Sequence, residues 1–343
     1  MQSVPADETA RFPKQDGPEQ VAPGVWRIPV PLPFALRSAN VYLVDDGPGQ
    51  RILIDSGLGL PADEQALRSG LAQAGVALED LSALVLTHAH PDHIGLSGLI
   101  HAEAHAPVYI LAGEDTRLMY VWGENSAELQ AQLDEMYRVN GLPDHLRAES
   151  QKAGLALRRI LRLPPPDAIT TLADGEEIVL GAHRYQILWT PGHSDHHLCL
   201  LRDDGLFFAG DHVLPGITPN IGLYVGARPN PLADYFTALE RVQPLPGRLV
   251  LPGHGRPFEG LAERAEALRA HHDERSQIVH DIISPHHDGL DAYTVASKLF
   301  GDRLRSVDDW RFAVAETLAH LEYLRYAGNA RRAEGDGLIT YTA

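Results

Sequence analysis

The run Thr87-His88-Ala89-His90-Pro91-Asp92-His93 places three imidazoles and one carboxylate within six residues. These side chains offer lone pairs to a divalent cation at neutral pH. A helix would put donors two apart on different faces, whereas a tight loop leaving a buried strand turns them toward one point. The preceding residues, Leu81-Ser82-Ala83-Leu84-Val85-Leu86, form a short apolar run that reads as that strand. Three further donors follow apolar stretches in the same way: His193 in Thr190-Pro191-Gly192-His193-Ser194, Asp211 in Phe208-Ala209-Gly210-Asp211-His212, and His254 in Leu251-Pro252-Gly253-His254-Gly255. Each has a glycine immediately before it, which lets the backbone turn sharply or approach a neighbour closely. Four strand-to-loop exits, each ending in His or Asp, predict that one edge of a sheet carries a metal site. A surface histidine cluster would account for the first run alone but not for the ordered recurrence of the others.

The pattern His-x-His-x-Asp-His, then Gly-His, Gly-Asp and Gly-His, resembles the metallo-β-lactamase superfamily, specifically its glyoxalase II-like branch, over roughly residues 22–260. The resemblance implies an α/β fold, an αββα sandwich with a binuclear site at one end of the two sheets. It implies that His88, His90 and His193 hold one divalent ion, that Asp92, His93 and His254 hold a second, and that Asp211 bridges both. Zinc suits these donors, with iron or manganese as alternatives. Two ions sharing a hydroxide would make a nucleophile at neutral pH, one of them polarising the substrate oxygen and the other stabilising the leaving group. Asp92 is then both a ligand and a candidate acceptor for the nucleophile's proton. Asp55, in Ile54-Asp55-Ser56-Gly57, resembles the family's Asp-x-Gly turn and would orient a ligand imidazole; a plain turn aspartate is the alternative. His197 falls where the family often has a second His after the Gly-His ligand, and is expected to support the site rather than act in it. Antibiotic-degrading members usually carry Cys where this chain has Asp211, which argues against β-lactam hydrolysis. Ala89 excludes the His-x-Glu variant of the oxygen-reducing flavodiiron branch.

The elements that must hold these residues are legible in outline. Residues 25–30, 40–44 and 51–54 read as strands, with the turn Asp46-Gly47-Pro48-Gly49 between the last two. Residues 62–74 and 96–104 read as helices. Between the first two strands, residues 31–37 form an apolar loop that either lines a substrate pocket or caps the sheet. Residues 113–163 are an insertion by the family's standard. They read as helical over 126–139, with Ser126 as a cap candidate, and over 144–161, ended by Pro164-Pro165-Pro166. This segment is either a lid over the metals or a packing and dimer surface. Residues 177–180 and 184–189 read as strands and 231–242 as a helix. Between them, residues 213–224 form a long irregular loop beside a metal ligand. Tyr224 in that loop either donates a hydrogen bond to a substrate carbonyl or is structural.

After His254 the character changes. Helices over 260–283, 294–300 and 310–326 precede a turn-rich stretch with a β-like end. That order resembles the winged-helix-like domain appended to one subgroup of the superfamily. The expected organisation is a leader over 1–20, a hydrolase domain over 21–259 and a C-terminal winged-helix-like α domain over 260–343.

Composition narrows the function. The chain has 343 residues and a net charge of −17, so it repels nucleic-acid phosphates unless it concentrates its basic residues. Residues 259–343 carry fifteen Asp or Glu against ten Lys or Arg, which favours a pocket-closing or dimerising role over DNA binding. No stretch approaches the roughly 18 apolar residues of a membrane span, and the polar start lacks an apolar signal region. The single Cys199, between Leu198 and Leu200, reads as a buried strand position with no disulfide partner. The expected location is cytoplasmic. The resulting expectation is a binuclear metallohydrolase acting on a small carbonyl substrate: an ester, thioester or lactone. The alternatives are a metal-dependent endoribonuclease or other phosphodiesterase, and a mononuclear iron persulfide dioxygenase that would leave half of the donors unused.

Overall fold

The computed structural model describes residues 17–33, 36–123 and 127–343. Most of the expected leader, Phe34 and Ala35 of the apolar loop, and the cap candidate Ser126 lie outside the described residues. Glu19 and Gln20, expected in the leader, are already paired in the first strand.

Two sheets face each other. The first runs in sequence order: β1 (Glu19–Ala22), β2 (Val25–Pro31), β3 (Ser38–Asp45), β4 (Arg51–Ile54), β5 (Ala83–Val85), β6 (Val108–Leu111) and β7 (Ile169–Leu172). It is antiparallel through β4 and parallel from β4 to β7. The parallel crossovers carry α1 (Pro61–Gln73), α2 (Pro91–Ile94) and α3 (Ser97–Ala104). Between β6 and β7 lie α4 (Glu114–Trp122), α5 (Ala127–Val139) and α6 (Asp144–Ile160). The second sheet comprises β8 (Glu177–Leu180), β9 (His183–Trp189), β10 (Leu198–Arg202), β11 (Leu206–Gly210) and β12 (Leu249–Pro252), in the reverse of chain order, with α7 (Pro231–Val242) leading into β12.

Alternation along each strand explains the layering, because successive side chains point to opposite faces. On β3, Tyr42 and Val44 face the second sheet, where they meet Ile187, Leu200 and Phe208. Val41 and Leu43 face the other way and pack with Leu67 and Leu71 of α1. The second sheet repeats the device: Cys199, Phe207 and Val250 pack outward against Leu232, Tyr235 and Leu239 of α7. The strand expected over 81–86 is regular over 83–85; Leu86 N–H still donates to the Tyr109 carbonyl, and Thr87 leads into the donor loop.

The C-terminal part is α8 (Leu261–Ile283), α9 (Ala292–Phe300), α10 (Val307–Tyr326) and a hairpin of β13 (Arg331–Gly335) and β14 (Leu338–Thr342). A reciprocal cap starts α10: Ser306 Oγ accepts from Asp309 N–H, and Asp309 accepts from Ser306 N–H. The helix α8 belongs to both parts. Ala265 and Leu268 cover the second sheet, while Val279 and Ile283 join Val295, Val314 and Leu321 in a separate apolar cluster. Tyr137, Leu142 and Leu146 from the segment between β6 and β7 complete that cluster.

A polar network stitches β3 to the loop after β12. Asn40 Nδ2 donates to the carbonyls of Pro252 (2.8 Å) and Gly255 (2.7 Å), Asn40 N–H donates to the Gly253 carbonyl (2.7 Å), and Tyr42 Oη donates to the Pro252 carbonyl (2.8 Å). Asn40→Ala leaves the Gly255 carbonyl without that donor and is expected to cost about 1–3 kcal/mol in denaturant unfolding. Tyr42→Phe is expected to cost only about 1 kcal/mol, because Asn40 still serves the Pro252 carbonyl.

Candidate metal centre

Each donor stands where a strand gives way to a loop. His88, His90, Asp92 and His93 follow β5, and Pro91 opens the short helix α2 that carries Asp92 and His93. His193 follows β9, Asp211 follows β11 and His254 follows β12. The expectation of a site on one sheet edge needs correction. Residues 88–93 leave the first sheet and the other three donors leave the second, so the cluster spans the seam between the two layers.

The side chains converge closely. One donor atom each from His88, His90 and His193 lies within 4.8 Å of the others, and the same holds for Asp92, His93 and His254 and for His88, His93 and Asp211. Asp211 Oδ2 lies 3.5 Å from His193 Nε2 and 3.2 Å from His254 Nε2, and its Oδ1 lies 3.6 Å from His93 Nε2. Asp92 Oδ2 lies 3.3 Å from His254 Nε2. Bonds of 2.0–2.2 Å in a tetrahedral shell put ligand atoms about 3.3–3.5 Å apart, so these separations fit donors around a cation. Among the described residues, four of the buried atoms lack a hydrogen-bond partner: His93 Nε2, His193 Nε2, His254 Nε2 and Asp211 Oδ1. Leaving so many buried polar atoms unpaired is costly, and bound divalent ions would satisfy all of them.

The opposite edges of the rings are held by the protein. Thr87 Oγ1 lies 2.9 Å from His88 Nδ1, Asp55 Oδ2 2.8 Å from His93 Nδ1, the Asn220 carbonyl 2.8 Å from His193 Nδ1, and the Ser38 carbonyl 2.7 Å from His254 Nδ1. Such outer partners fix the tautomer and aim the free nitrogen inward. Asp55 also accepts from Thr87 N–H and Oγ1, with its own backbone at a φ of 62°. The buried His197 accepts from Asp211 N–H through Nε2 (3.1 Å) and meets Thr190 Oγ1 through Nδ1 (2.8 Å). Tyr224 Oη donates to Asn220 Oδ1 at 3.2 Å.

A model of the metallo-β-lactamase superfamily matches residues 35–254, and a model of the metallo-β-lactamase-like C-terminal domain matches residues 282–343. This chain belongs to the metallo-β-lactamase superfamily. A metallo-β-lactamase family protein of known structure from Thermus thermophilus is 34% identical, with a TM-score of 0.83 over 94% of this chain and 99% of that one. A probable metallo-hydrolase of Bacillus subtilis, YqjP, is 27% identical over 88% of this chain and 92% of its own length. The human acyl-coenzyme A thioesterase MBLAC2 is 30% identical over 71% of this chain and 82% of its own length. Membership in the superfamily and a complete donor set make the chain a metal-dependent hydrolase.

Electrostatics divide the superfamily site in two. Burial and neighbouring imidazoles hold His88 well below its ordinary range and push His90 down to about 3. Both are therefore neutral and ready to coordinate. Burial also acts against charge on His93 and His254, but the carboxylates outweigh it. Asp211, Asp55 and Asp92 raise His93, and Asp211 and Asp92 raise His254 to about 10. Burial opposes ionisation of Asp211, yet His254 and His93 hold its carboxyl well below the carboxylate range. The carboxylate-rich half thus favours positive charge at its centre, and a bound cation would supply it. The Asp92 side chain retains 18% exposure against 0% for His93, so Asp92 is a donor that solvent can reach.

Several supporting residues were not foreseen. Glu114, Asn220 and Asn40 hold donor loops from afar. Sequence gives little sign of them, apart from an acidic residue at the start of a helix in the case of Glu114. A further group, His272, Glu316 and His320, also gathers donor atoms within 4.8 Å, between α8 and α10. Its carboxylate is engaged by Arg275 and by Asn220. Apolar residues of the three segments near the donors are largely absorbed into packing, which for residues 31–37 favours the capping alternative. Leu32 and Leu36 join Leu58 and Ile160, Trp122 joins the core over the first sheet, and Leu223 joins the C-terminal cluster.

The glycines before the donors act in different ways. Gly192 has a φ of 133°, and a Cβ there would come 2.8 Å from Tyr235 Cα. At Gly253 the requirement is space, since a Cβ would come 2.2 Å from Asp211 Oδ1 and 2.9 Å from His93 Cε1. Gly253→Ala is therefore expected to displace Asp211 and cut metal content below one ion per chain while far-UV circular dichroism stays native. Full metal content in that variant would place Asp211 outside the cradle.

Proposed function

We propose that the chain is a binuclear metallohydrolase that cleaves a small carbonyl substrate, with a thioester as the favoured class within the ester, thioester and lactone group. In this reading His88, His90 and His193 would hold one ion, Asp92, His93 and His254 would hold the other, and Asp211 would serve both. The observation that carries it is the reach of Asp211, whose two oxygens lie 3.2–3.6 Å from nitrogens of both groups. Mixed imidazole and carboxylate donors favour zinc, with iron and manganese as the alternatives. When bound, such a pair supplies a nucleophile from water at neutral pH and a Lewis acid for the substrate oxygen.

The chain's own groups do the rest. Asp92 is held ionised: burial opposes its charge, but the nearby His93 and His254 imidazoles outweigh that effect on its carboxyl. Being partly exposed, it is placed to accept a proton as the carbonyl is attacked. Asp55 and His197 fix His93 and the Asp211 backbone. Tyr224 keeps its proton, because burial pushes its hydroxyl far above the ordinary range; that hydrogen goes to Asn220 Oδ1, so in this reading Tyr224 serves a substrate carbonyl as a neutral donor by exchanging that partner.

Thioester is favoured because a 30% identical relative is named an acyl-coenzyme A thioesterase and a more distant one, from Aspergillus fumigatus, an atrochrysone carboxyl ACP thioesterase. We read residues 21–259 as the hydrolase unit and 260–343 as a winged-helix-like unit of three helices and a hairpin. Its excess of acid over base favours a supporting role over nucleic-acid binding. No helix among the described residues is long and apolar enough to cross a membrane.

The test combines metal content with activity on one purified sample. Two ions per chain and turnover of an acyl-coenzyme A, lost on chelation and restored by added zinc, are expected. Cleavage of single-stranded RNA alone, or one iron per chain with no hydrolysis, would overturn the reading. His90→Ala and Asp211→Ala are each expected to lose metal and turnover together. Tyr224→Phe is expected to lower turnover on the order of 10²-fold with both metals kept; an unchanged rate would confine Tyr224 to support of Asn220.

A further inference from the structure

The three imidazoles of the His88, His90 and His193 group hang on two short segments, 88–90 and 192–194. Ala89, between the first two donors, sends both of its backbone groups to α4. Its N–H donates to Glu114 Oε1 at 2.7 Å, and its carbonyl accepts from Trp122 Nε1 at 2.7 Å. The same Glu114 oxygen accepts from Ser194 Oγ at 2.5 Å, one residue past His193. One fully buried carboxylate therefore ties the two donor segments to each other.

The outer edge of His193 is fixed from another direction. Its Nδ1 donates to the Asn220 carbonyl at 2.8 Å. The Asn220 side chain reaches α10, where Nδ2 donates to Glu316 Oε2 at 3.0 Å and to the Phe312 carbonyl at 3.3 Å. Arg275 of α8 holds the other Glu316 oxygen. With Glu316 so engaged, its nearness to His272 and His320 reads as packing around an anchored carboxylate rather than as a further cation site.

The Asp92, His93 and His254 group is supported differently. Asp55 follows β4, Ser38 belongs to β3, and Asn40 of β3 clamps the carbonyls on either side of His254. All of that support comes from the first sheet.

The geometry points to Glu114 and Asn220, the latter anchored by Glu316, as positioning residues for the first metal alone. They make its affinity depend on α4 and on the C-terminal helix α10, while the second metal depends on the first sheet. The physical basis is general: a ligand imidazole keeps its angle and tautomer only while its outer nitrogen and its own backbone are held, and losing such a partner typically costs about 10–100-fold in metal affinity. The inference rests on the two-metal reading above and adds which parts of the fold govern each metal.

The test titrates the metal-free full chain with cobalt(II). Ligand-field absorption follows the two sites, and competition with a chromophoric chelator gives their affinities. Glu114→Ala and Asn220→Ala are expected to weaken one of the two cobalt sites by about 10–100-fold and to leave the other within roughly threefold. Asn40→Ala is expected to weaken the other site instead. Glu114→Gln, whose amide oxygen can still accept from Ala89 and Ser194, is expected to restore most of the affinity. Circular dichroism of the metal-free variants checks folding, and Ser194→Ala tests the same tie if Glu114→Ala does not fold. Equal weakening of both sites, or no weakening of either, would overturn the proposal. A wild-type protein that takes up only one cobalt would instead overturn the two-metal reading beneath it.

Discussion

The arrangement rests on one electrostatic constraint. Five imidazoles and two carboxylates are packed against one another in a largely buried seam, and four of their inner atoms have no hydrogen-bond partner among the described residues. Such a cluster is unstable by itself, because desolvation and mutual repulsion both act against it. It persists because four of the rings are gripped from behind: Thr87, Asp55, and the carbonyls of Asn220 and Ser38 each take an outer nitrogen. Those grips need rigid carriers, and the rest of the fold supplies them. Strands buried on both faces set the loop exits, and the helices on either side keep the strands from shifting.

The donor residues were legible because their signal is local. A His-rich run after an apolar strand, and a Gly-His or Gly-Asp after each later strand, can be read without knowing what lies across the fold. The two-layer architecture came with the family pattern; the residues alone suggested a single sheet edge, which the structure corrects. Apart from α4, which was not read within the insertion, the helices of two turns or more were legible from their apolar spacing, and α8 begins and ends within a residue of the expected bounds. The four-residue strands β6 and β7 were not. They are too short for a period, and they are defined by parallel pairing with partners distant in sequence.

The support of the site was the least legible part, for a physical reason. Asn40 acts on Pro252 across 212 positions, Glu114 on Ser194 across 80, and Glu316 on Asn220 across 96. A single Asn or Glu carries no local mark of such a role, since the same residue on a surface looks identical in sequence. Only the fold makes Glu114 a buried carboxylate, with its carboxyl held above the ordinary range by desolvation.

The continuous helix α8 has a consequence for how the molecule is made. The donors are spread from residue 88 to residue 254, the helix that covers the second sheet starts at residue 261, and the carboxylate that anchors the loop behind His193 arrives only at residue 316. As the chain leaves the ribosome, α7 covers part of the outer face of the second sheet and α8 later completes that cover, and the support behind His193 stays open until α10 has emerged. The support behind His193 is thus completed well after the last donor, His254, has been made, whereas the group of Asp92, His93 and His254 draws its support from strands made before it.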